Sequence, residues 1–215
     1  MSTDRPGDER GRGAEQPAAA LKPAPVESEV IGICASAGGP RALASVLERL
    51  PADYRIPILV VQHMTPGFID GLVDWLNRDV ALPVGLASDG QALTRGVWLG
   101  PDGAHLKLQS GHRLALDSDT VAGKHRPSGD VLLSSLARVA GARAVAVVLT
   151  GMGRDGAEGS AAVAASGGRT FAQDEQSSSV YGMPRVAAEL GAKTVLTPRA
   201  IGDQLAALDR RVARA

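Results

Sequence analysis

Short apolar runs alternate with segments of helical periodicity throughout the chain from Val30 onward. The strongest runs are rich in β-branched residues, which favour buried strands, and each is followed by a turn and an amphipathic stretch. This pattern predicts neighbouring strands over 30–35, 58–62 and 144–149. Such an alternation of strand and helix is typical of an α/β domain built around a mostly parallel sheet.

The remaining elements follow from the same periodicity and from turn residues. Predicted helices, each with an apolar stripe or a helix-start signal, cover 40–50, 68–78, 127–140, a segment beginning near Asp155, 183–190 and the stretch after Pro198. Two further strands are predicted over 169–172 and 194–196. The middle of the chain, 82–116, is richer in Gly, Asp and short alternating runs. That composition indicates short strands and hairpins, partly antiparallel.

Length and charge limit the classes of function. The 215 residues suffice for one well-buried domain, and lysine plus arginine equals aspartate plus glutamate at 23 each. This balance predicts neither a nucleic-acid binder nor a membrane-surface protein. Residues 1–28 are rich in Pro, Gly, Ala and alternating charges, so we expect a disordered tail before a single domain over 29–215.

The cellular compartment follows from two further observations. No stretch reaches the roughly 20 apolar residues that a transmembrane helix requires, so we expect no direct membrane insertion. Cys34 is the only cysteine, which rules out an intramolecular disulfide and suits a reducing compartment. The sequence therefore predicts a cytoplasmic protein.

Three polar residues fall just past the ends of predicted strands: Ser36, His63 and Asp155. In a parallel sheet such residues gather at the carboxyl edge, where open α/β sheets bind ligands. A serine nucleophile needs an imidazole to take its proton and a carboxylate to orient that imidazole. The glycines that follow Ser36 and those in 150–156 allow tight turns whose N–H groups face inward and stabilise an oxyanion. The arrangement predicts a serine hydrolase.

Each of these residues also has a purely structural interpretation. Ser36 in a Gly-rich turn caps a helix or binds phosphate in many proteins, and Asp155 before a helix is a common N-cap. His63 at a strand end is compatible with a structural histidine. All three interpretations remain open at the level of single residues, but they would require three unrelated coincidences at one sheet edge.

Other chemistry has less support. His105, His112 and His125 lack ligand spacing to one another or to a cysteine, so we expect no metal site, and no cofactor is predicted. A nucleotide site at the turn after the first strand would need a G-x-G-x-x-G or Walker pattern, and neither occurs. Cys34 lies inside a predicted buried strand, which favours inert packing.

Several longer motifs resemble a known family. They are Ala35-Ser36-Ala37-Gly38-Gly39, Gln62-His63-Met64 with Pro66-Gly67-Phe68, His125-Arg126-Pro127-Ser128 with Asp130-Val131-Leu132, Leu149-Thr150-Gly151-Met152-Gly153 with Asp155-Gly156, Ala172-Gln173-Asp174-Glu175 and Tyr181-Gly182-Met183-Pro184. Together they closely resemble the catalytic domain of the chemotaxis protein-glutamate methylesterases, the CheB family. The resemblance runs from Val30 to the last residue.

The resemblance implies a fold and an activity. The fold is a doubly wound, mostly parallel α/β sheet with an antiparallel hairpin. The activity is hydrolysis of glutamate γ-methyl esters on the cytoplasmic helices of methyl-accepting chemoreceptors, with release of methanol and often with glutamine deamidation. By motif position Ser36 is the nucleophile, His63 the general base and then acid, and Asp155 the group that orients His63. The backbone N–H of Met152 contributes to the oxyanion hole.

Two departures from the family pattern stand out. Members usually carry a glycine where this chain has Cys34, so that side chain must fit beneath the turn that carries Ser36. Most members also carry a receiver domain before the esterase, and here 1–28 stands in that place, which predicts a stand-alone catalytic unit. The competing hypothesis is a non-catalytic module that docks on a receptor or another signalling protein with the same fold.

Overall fold

The computed structural model describes Met1, residues 29–120 and residues 125–212. The nine strands are β1 (Val30–Ala35), β2 (Ile58–Gln62), β3 (Val84–Leu86), β4 (Val97–Leu99), β5 (His105–Gln109), β6 (Arg113–Asp117), β7 (Ala144–Val148), β8 (Arg169–Gln173) and β9 (Thr194–Leu196). The α-helices are α1 (Gly39–Leu47), α2 (Ile69–Asp79), α3 (Gly129–Ala140), α4 (Ala157–Ala165), α5 (Met183–Glu189) and α6 (Pro198–Val212).

Seven strands form one parallel sheet in the order β3-β4-β2-β1-β7-β8-β9. The central strand β1 is buried along its whole length, as a parallel strand covered on both faces should be. Its alternate residues supply both core layers: Ile31 and Ile33 pack toward α1, α2 and α6, whereas Val30 and Cys34 pack toward α3 and α4. The doubly wound α/β prediction is confirmed.

The middle of the chain divides between two sheets. β3 and β4 join the edge of the large sheet and are parallel to it, whereas β5 and β6 form a separate antiparallel hairpin. The hairpin packs against α3 through buried leucines, and Leu108 N donates a hydrogen bond of 2.9 Å to Ser135 Oγ on that helix. The hairpin therefore packs against α3 and holds it in place, and the first turn of α3 faces the carboxyl edge of the sheet.

Helix bounds differ from prediction by one to three residues, the largest difference being α1, which ends at Leu47 and not at the predicted Leu50. The predicted helix 127–140 begins at Gly129, because Ser128 is extended and its Oγ accepts from Val131 N at 3.4 Å as the N-cap. The helix expected near Asp155 begins at Ala157, after Gly156 with φ 87°. The predicted tail, except Met1, lies outside the described residues. No helix in the described ranges is long and apolar enough to span a bilayer.

Candidate active site at the carboxyl edge of the sheet

Three turns meet where β2, β1 and β7 end. Because these strands are adjacent, Ser36 lies between His63 on one side and the turn after β7 on the other. Backbone hydrogen bonds extend the ladders into the turns: His63 N donates to Ala35 O at 2.9 Å, and Ser36 N donates to Thr150 O at 3.0 Å. The Ser36 turn is thus held from both neighbouring strands.

Two buried polar side chains lock these turns together. Gln62 Nε2 donates to the carbonyl oxygens of Ser36 and His63 at 2.9 and 2.7 Å. Thr150 Oγ1 donates to Ala37 O at 3.0 Å. Both side chains lie at the base of the site, where bonded polar groups fix a unique arrangement. The motifs that contain Gln62 and Thr150 do not by themselves indicate this role.

His63 and Asp155 form the closest side-chain contact of the site. Nε2 of His63 lies 2.8 Å from Oδ2 of Asp155, and the two side chains are 9% and 11% exposed. The two atoms are within ion-pair distance, but the geometry does not meet the angle required for a hydrogen bond. Nδ1 of His63 is buried and has no hydrogen-bond partner in the described part of the chain. The ring also stacks on His125, with centroids 4.2 Å apart and planes 16° apart. Nδ1 is therefore the ring nitrogen available for proton transfer.

The carboxylate of Asp155 occupies the N-terminus of α3. It accepts hydrogen bonds from Ser128 Oγ at 2.7 Å, Gly129 N at 2.5 Å and Asp130 N at 3.1 Å. A helix N-terminus favours negative charge because its first N–H groups have no intrahelical acceptor. The N-cap interpretation of Asp155 is therefore half right: it caps a helix, but that helix is α3 and not the α4 that follows it.

These donors control the protonation of Asp155. Burial alone would raise the pKa of this carboxyl, but the close contact with His63 and the hydrogen bonds from Gly129, Ser128 and Asp130 outweigh burial and hold the pKa well below its usual range. The neighbouring Asp130 behaves in the opposite way. Burial and repulsion by Asp155 raise the pKa of Asp130 to about 6, although Gly159 N donates to it at 2.8 Å. Asp155 thus stays ionised across the physiological range.

A further histidine, His105, contacts the N-cap residue of α3. His105 is buried, its Nδ1 accepts from Ser128 N at 3.1 Å, and its Nε2 lies 3.2 Å from Thr120 O. Burial lowers the pKa of His105, so the ring is neutral with its proton on Nε2. His105 therefore holds the N-cap Ser128 in place, a role that spacing along the sequence did not indicate.

Cys34 fits because two glycines leave room for it. A Cβ at Gly129 would lie 2.6 Å from Sγ of Cys34, and a Cβ at Gly156 would lie 3.1 Å from its Cβ. Burial, with the nearby carboxylates of Asp155 and Asp130, raises the pKa of the thiol. The side chain is an uncharged packing group under the Ser36 turn.

Ser36 and Met152 present free polar groups at the mouth of the site. Ser36 Oγ forms no hydrogen bond with another described residue, and α1 is not capped by a side chain. Gly151 leaves space for Ser36, since a Cβ there would lie 2.7 Å from Cβ of Ser36. The N–H of Met152 has no acceptor among the described residues, and its side chain is 72% exposed. These groups can act on an external carbonyl.

Comparison with known families agrees with this geometry. The family model described as CheB methylesterase matches residues 31–205. The chain belongs to the CheB methylesterase family. The crystal structure of the Thermotoga maritima CheB methylesterase catalytic domain is 36% identical and superimposes with a TM-score of 0.81, over 85% of this chain and all of that one.

Curated members of the CheB methylesterase family are similar over most of this chain. The protein-glutamate methylesterase/protein-glutamine glutaminase of group 3 operon from Rhizobium meliloti is 43% identical over 84% of this chain and 52% of its own length. The protein-glutamate methylesterase/protein-glutamine glutaminase 3 of Myxococcus xanthus is 45% identical over 83% of this chain and 51% of its own length. The chain thus spans about half the length of these relatives.

The sequence and the structure agree on which residues meet at this edge. Ser36, His63 and Asp155 follow three adjacent strands, as predicted, and Met152 lies in the turn between them. His125 lies on His63, whereas His112 is remote, in the turn of the β5–β6 hairpin. Within the described residues no cluster of His, Cys, Asp and Glu side chains is suited to a metal ion. The catalytic roles stay predictions.

Proposed function

We propose that this chain hydrolyses glutamate γ-methyl esters on the cytoplasmic helices of methyl-accepting receptors. The observation that carries the proposal is the His63–Asp155 contact of 2.8 Å beside Ser36, with Nδ1 of His63 unpartnered. The names of the family members support the same reaction. An enzyme with this substrate would work in the cytoplasm, and the balanced charge of 23 against 23 gives no reason to add nucleic acid as a partner.

The first half of the reaction forms an acyl-enzyme. Ser36 Oγ attacks the ester carbonyl carbon while its proton passes to Nδ1 of His63. Asp155, ionised by the donors of α3, stabilises the imidazolium through Nε2. The negative oxygen of the tetrahedral intermediate accepts from the N–H of Met152. The carbon–methoxy bond then breaks, and methanol leaves with the proton from Nδ1.

The second half reverses these roles. Water attacks the glutamyl ester of Ser36 and gives a proton to His63. The bond between the carbonyl carbon and Ser36 Oγ breaks, Oγ regains the proton, and free glutamate remains on the receptor. With a glutamine side chain the same steps release ammonia, which accounts for deamidation as a second activity.

The decisive experiment is methanol release from methylated receptor cytoplasmic fragments. The intact chain should release methanol, and Ser36→Ala should lower the rate by at least about 10³-fold without loss of folding. Ser110→Ala, in the exposed turn of the β5–β6 hairpin, is the matched control and should keep the full rate. Equal rates for the intact chain and Ser36→Ala would exclude Ser36 as nucleophile. No release by the folded intact chain from several receptors would favour the docking module.

A further inference from the structure

A cavity of about 350 Å³ opens at the same edge of the sheet, on the side of Ser36 away from His63. It lies over the ends of β1, β7, β8 and β9, between the first turns of α1 and α6. Its rim carries residues at or just before the starts of two helices and one residue of the loop after β8: Gly38 and Arg41 at α1, Thr197 and Arg199 at α6, and Ser179. The cavity is therefore a neighbour of the proposed nucleophile and not part of the His63–Asp155 pair.

The cavity is cationic and lacks a counter-charge. Arg41 and Arg199 form no ion pair with any described residue, and no Asp or Glu lines the cavity. Neither α1 nor α6 has an acidic residue in its first turn. Both helix N-termini border the cavity and carry a partial positive charge, and at α6 the hydroxyl oxygen of Thr197 already accepts from Ala200 N at 3.3 Å. The nearest carboxylate identified is that of Asp174, which does not line the cavity and accepts from N and Oγ of the lining residue Ser177.

The floor of the cavity consists of buried residues that are hydrogen-bonded to one another and to the Ser36 turn. Gln173 is 1% exposed, its Oε1 accepts from Thr150 N at 2.8 Å, and its Nε2 donates to Ser177 O at 2.9 Å. Thr150 Oγ1 accepts from Val180 N at 3.0 Å and binds Ala37 O. Thr150 O in turn accepts from Ser36 N. A ligand in this cavity would therefore lie at a fixed position relative to the Ser36 turn.

We propose that this cavity binds the carboxylate of an acidic side chain on the same helix that carries the methyl ester. Two guanidinium groups and the hydroxyl group of Ser179 are hydrogen-bond donors for a carboxylate, and the positive charge of the cavity is opposite in sign to it. A helix lying across the edge would place a glutamate or aspartate there while the ester reaches Ser36. The proposal rests on the proposed function, because the ester defines which helix is bound.

The test uses helical peptides that differ in one neighbouring charge. Each peptide carries a glutamate γ-methyl ester, and the positions three, four and seven residues away on either side carry Glu in one peptide and Gln in the other. Methanol release gives kcat and KM for the intact chain. Binding is measured separately, by fluorescence anisotropy, with Ser36→Ala and labelled peptides in which Gln replaces the ester.

The intact chain should favour the Glu peptide by roughly threefold to tenfold, mostly through KM, and Ser36→Ala should show the same preference in binding. The double variant Arg41→Gln/Arg199→Gln should lose the preference, as should about 0.5 M sodium chloride. The matched control Arg78→Gln/Arg138→Gln removes the same charge from the last turns of α2 and α3 and should keep the preference. Circular dichroism verifies that each variant is folded.

The outcomes separate this inference from the proposed function. Hydrolysis without a preference for the Glu peptide, or a preference that survives Arg41→Gln/Arg199→Gln, overturns the carboxylate site and leaves the esterase in place. A binding preference that depends on both arginines, in a chain that releases no methanol, supports the carboxylate site and overturns the esterase. If there is neither methanol release nor a preference for the Glu peptide, both the esterase and the carboxylate site are overturned.

Discussion

Three helix N-termini lie at the same sheet edge, and the N-terminus of α3 differs from those of α1 and α6 in whether a carboxylate of the protein lies against it. The first turn of α3 is filled by the protein's own carboxylate, Asp155, which accepts from three donors of residues 128–130. The first turns of α1 and α6 face an open cavity that contains Arg41 and Arg199 and no carboxylate. The physical preference for negative charge is the same at both places.

The source of the anion distinguishes the N-terminus of α3 from those of α1 and α6. At α3 the anion is the side chain of Asp155, which is fixed in position and ionised, and the proposed role of orienting His63 requires both properties. At α1 and α6 no carboxylate of the described residues lines the cavity, so the proposed ligand there is an anion of another molecule. Ser36 lies between the two: its N donates to Thr150 O, and its O accepts from the side chain of Gln62 on β2. We call Asp155 with the first turn of α3 the closed site, and the cavity with Arg41 and Arg199 the open site. Changes to the closed site should affect chemistry, and changes to the open site should affect recognition.

The largest effect is expected from Asp155→Asn, which removes the negative charge at the closed site. A neutral amide cannot stabilise the imidazolium, so kcat for methanol release should fall about 10⁴-fold. The wild-type carboxyl has a folded-state pKa below its ordinary 3.8, so its stabilisation is present above about pH 4 and is lost as the pH falls further. Thermal unfolding of Asp155→Asn should therefore lose part of the wild-type acid sensitivity.

The exposed Asp53→Asn is the control for Asp155→Asn and should leave both rate and unfolding unchanged. A rate for Asp155→Asn within about tenfold of wild type would contradict the role of Asp155 in orienting His63.

The next effect comes from crowding the closed site with Gly129→Ala. The new Cβ would lie 2.6 Å from Sγ and 2.9 Å from Cβ of Cys34, so the first turn of α3 must move away from Asp155. We expect about 1–3 kcal/mol lower stability and a rate about tenfold to a hundredfold lower. Restoring space with Cys34→Gly in the same chain should recover much of both losses. Chemical denaturation and methanol release measure them.

Gly71→Ala on α2 is the matched control, because nothing lies within 4 Å of its Cβ, and it should be neutral or slightly stabilising. A double variant no better than Gly129→Ala alone would show that Cys34 is not the obstacle. A coupling of at least about 1 kcal/mol between the two positions would support the packing argument.

The sheet edge itself could be predicted from the sequence, because apolar runs locate strands and parallel strands end together. That reasoning brought Ser36, His63 and Asp155 to three adjacent strands. It could not show which helix Asp155 caps, since the contact joins residues that are 25 to 27 apart in sequence and depends on how α3 packs. Local pattern favoured the helix that follows Asp155, and tertiary packing decided otherwise.

The cavity between α1 and α6 could not be predicted from the sequence for a similar reason. Arg41 and Arg199 are far apart along the chain, and each looks like an ordinary exposed charge on an amphipathic helix. Only the parallel strand order places the starts of α1 and α6 over one cavity. His105 was likewise considered only as a metal ligand, whereas its neighbour Ser128 gives it a structural role.

A smaller effect is expected from removing one donor at the closed site with Ser128→Ala. The variant loses the hydrogen bond of 2.7 Å to Asp155 and the N-cap of α3, but two backbone donors remain. We expect about 1 kcal/mol lower stability and a rate about fivefold to tenfold lower. Ser134→Ala, within the same helix, serves as its control. Equal rates for the two variants would mean that Ser128 does not hold Asp155.

The smallest effect concerns Asp130, the second carboxylate beside the closed site. Its pKa is raised to about 6 from 3.8, so the folded state binds the proton more tightly than the unfolded state. The protein should therefore lose stability as the pH rises from about 4 to 6, a window in which Asp155 stays ionised. Asp130→Asn keeps an oxygen that can accept from Gly159 N and removes this titration.

Denaturation of wild type and Asp130→Asn at pH 4.5 and 7.5 tests this difference. The fall in the free energy of unfolding between the two pH values should be smaller in Asp130→Asn, by about 1 kcal/mol after allowance for solvent screening of this half-buried group. An identical fall in both proteins would show that Asp130 is ionised throughout. In that case the N-terminus of α3 would hold two anions, and its difference from the open site would be larger still.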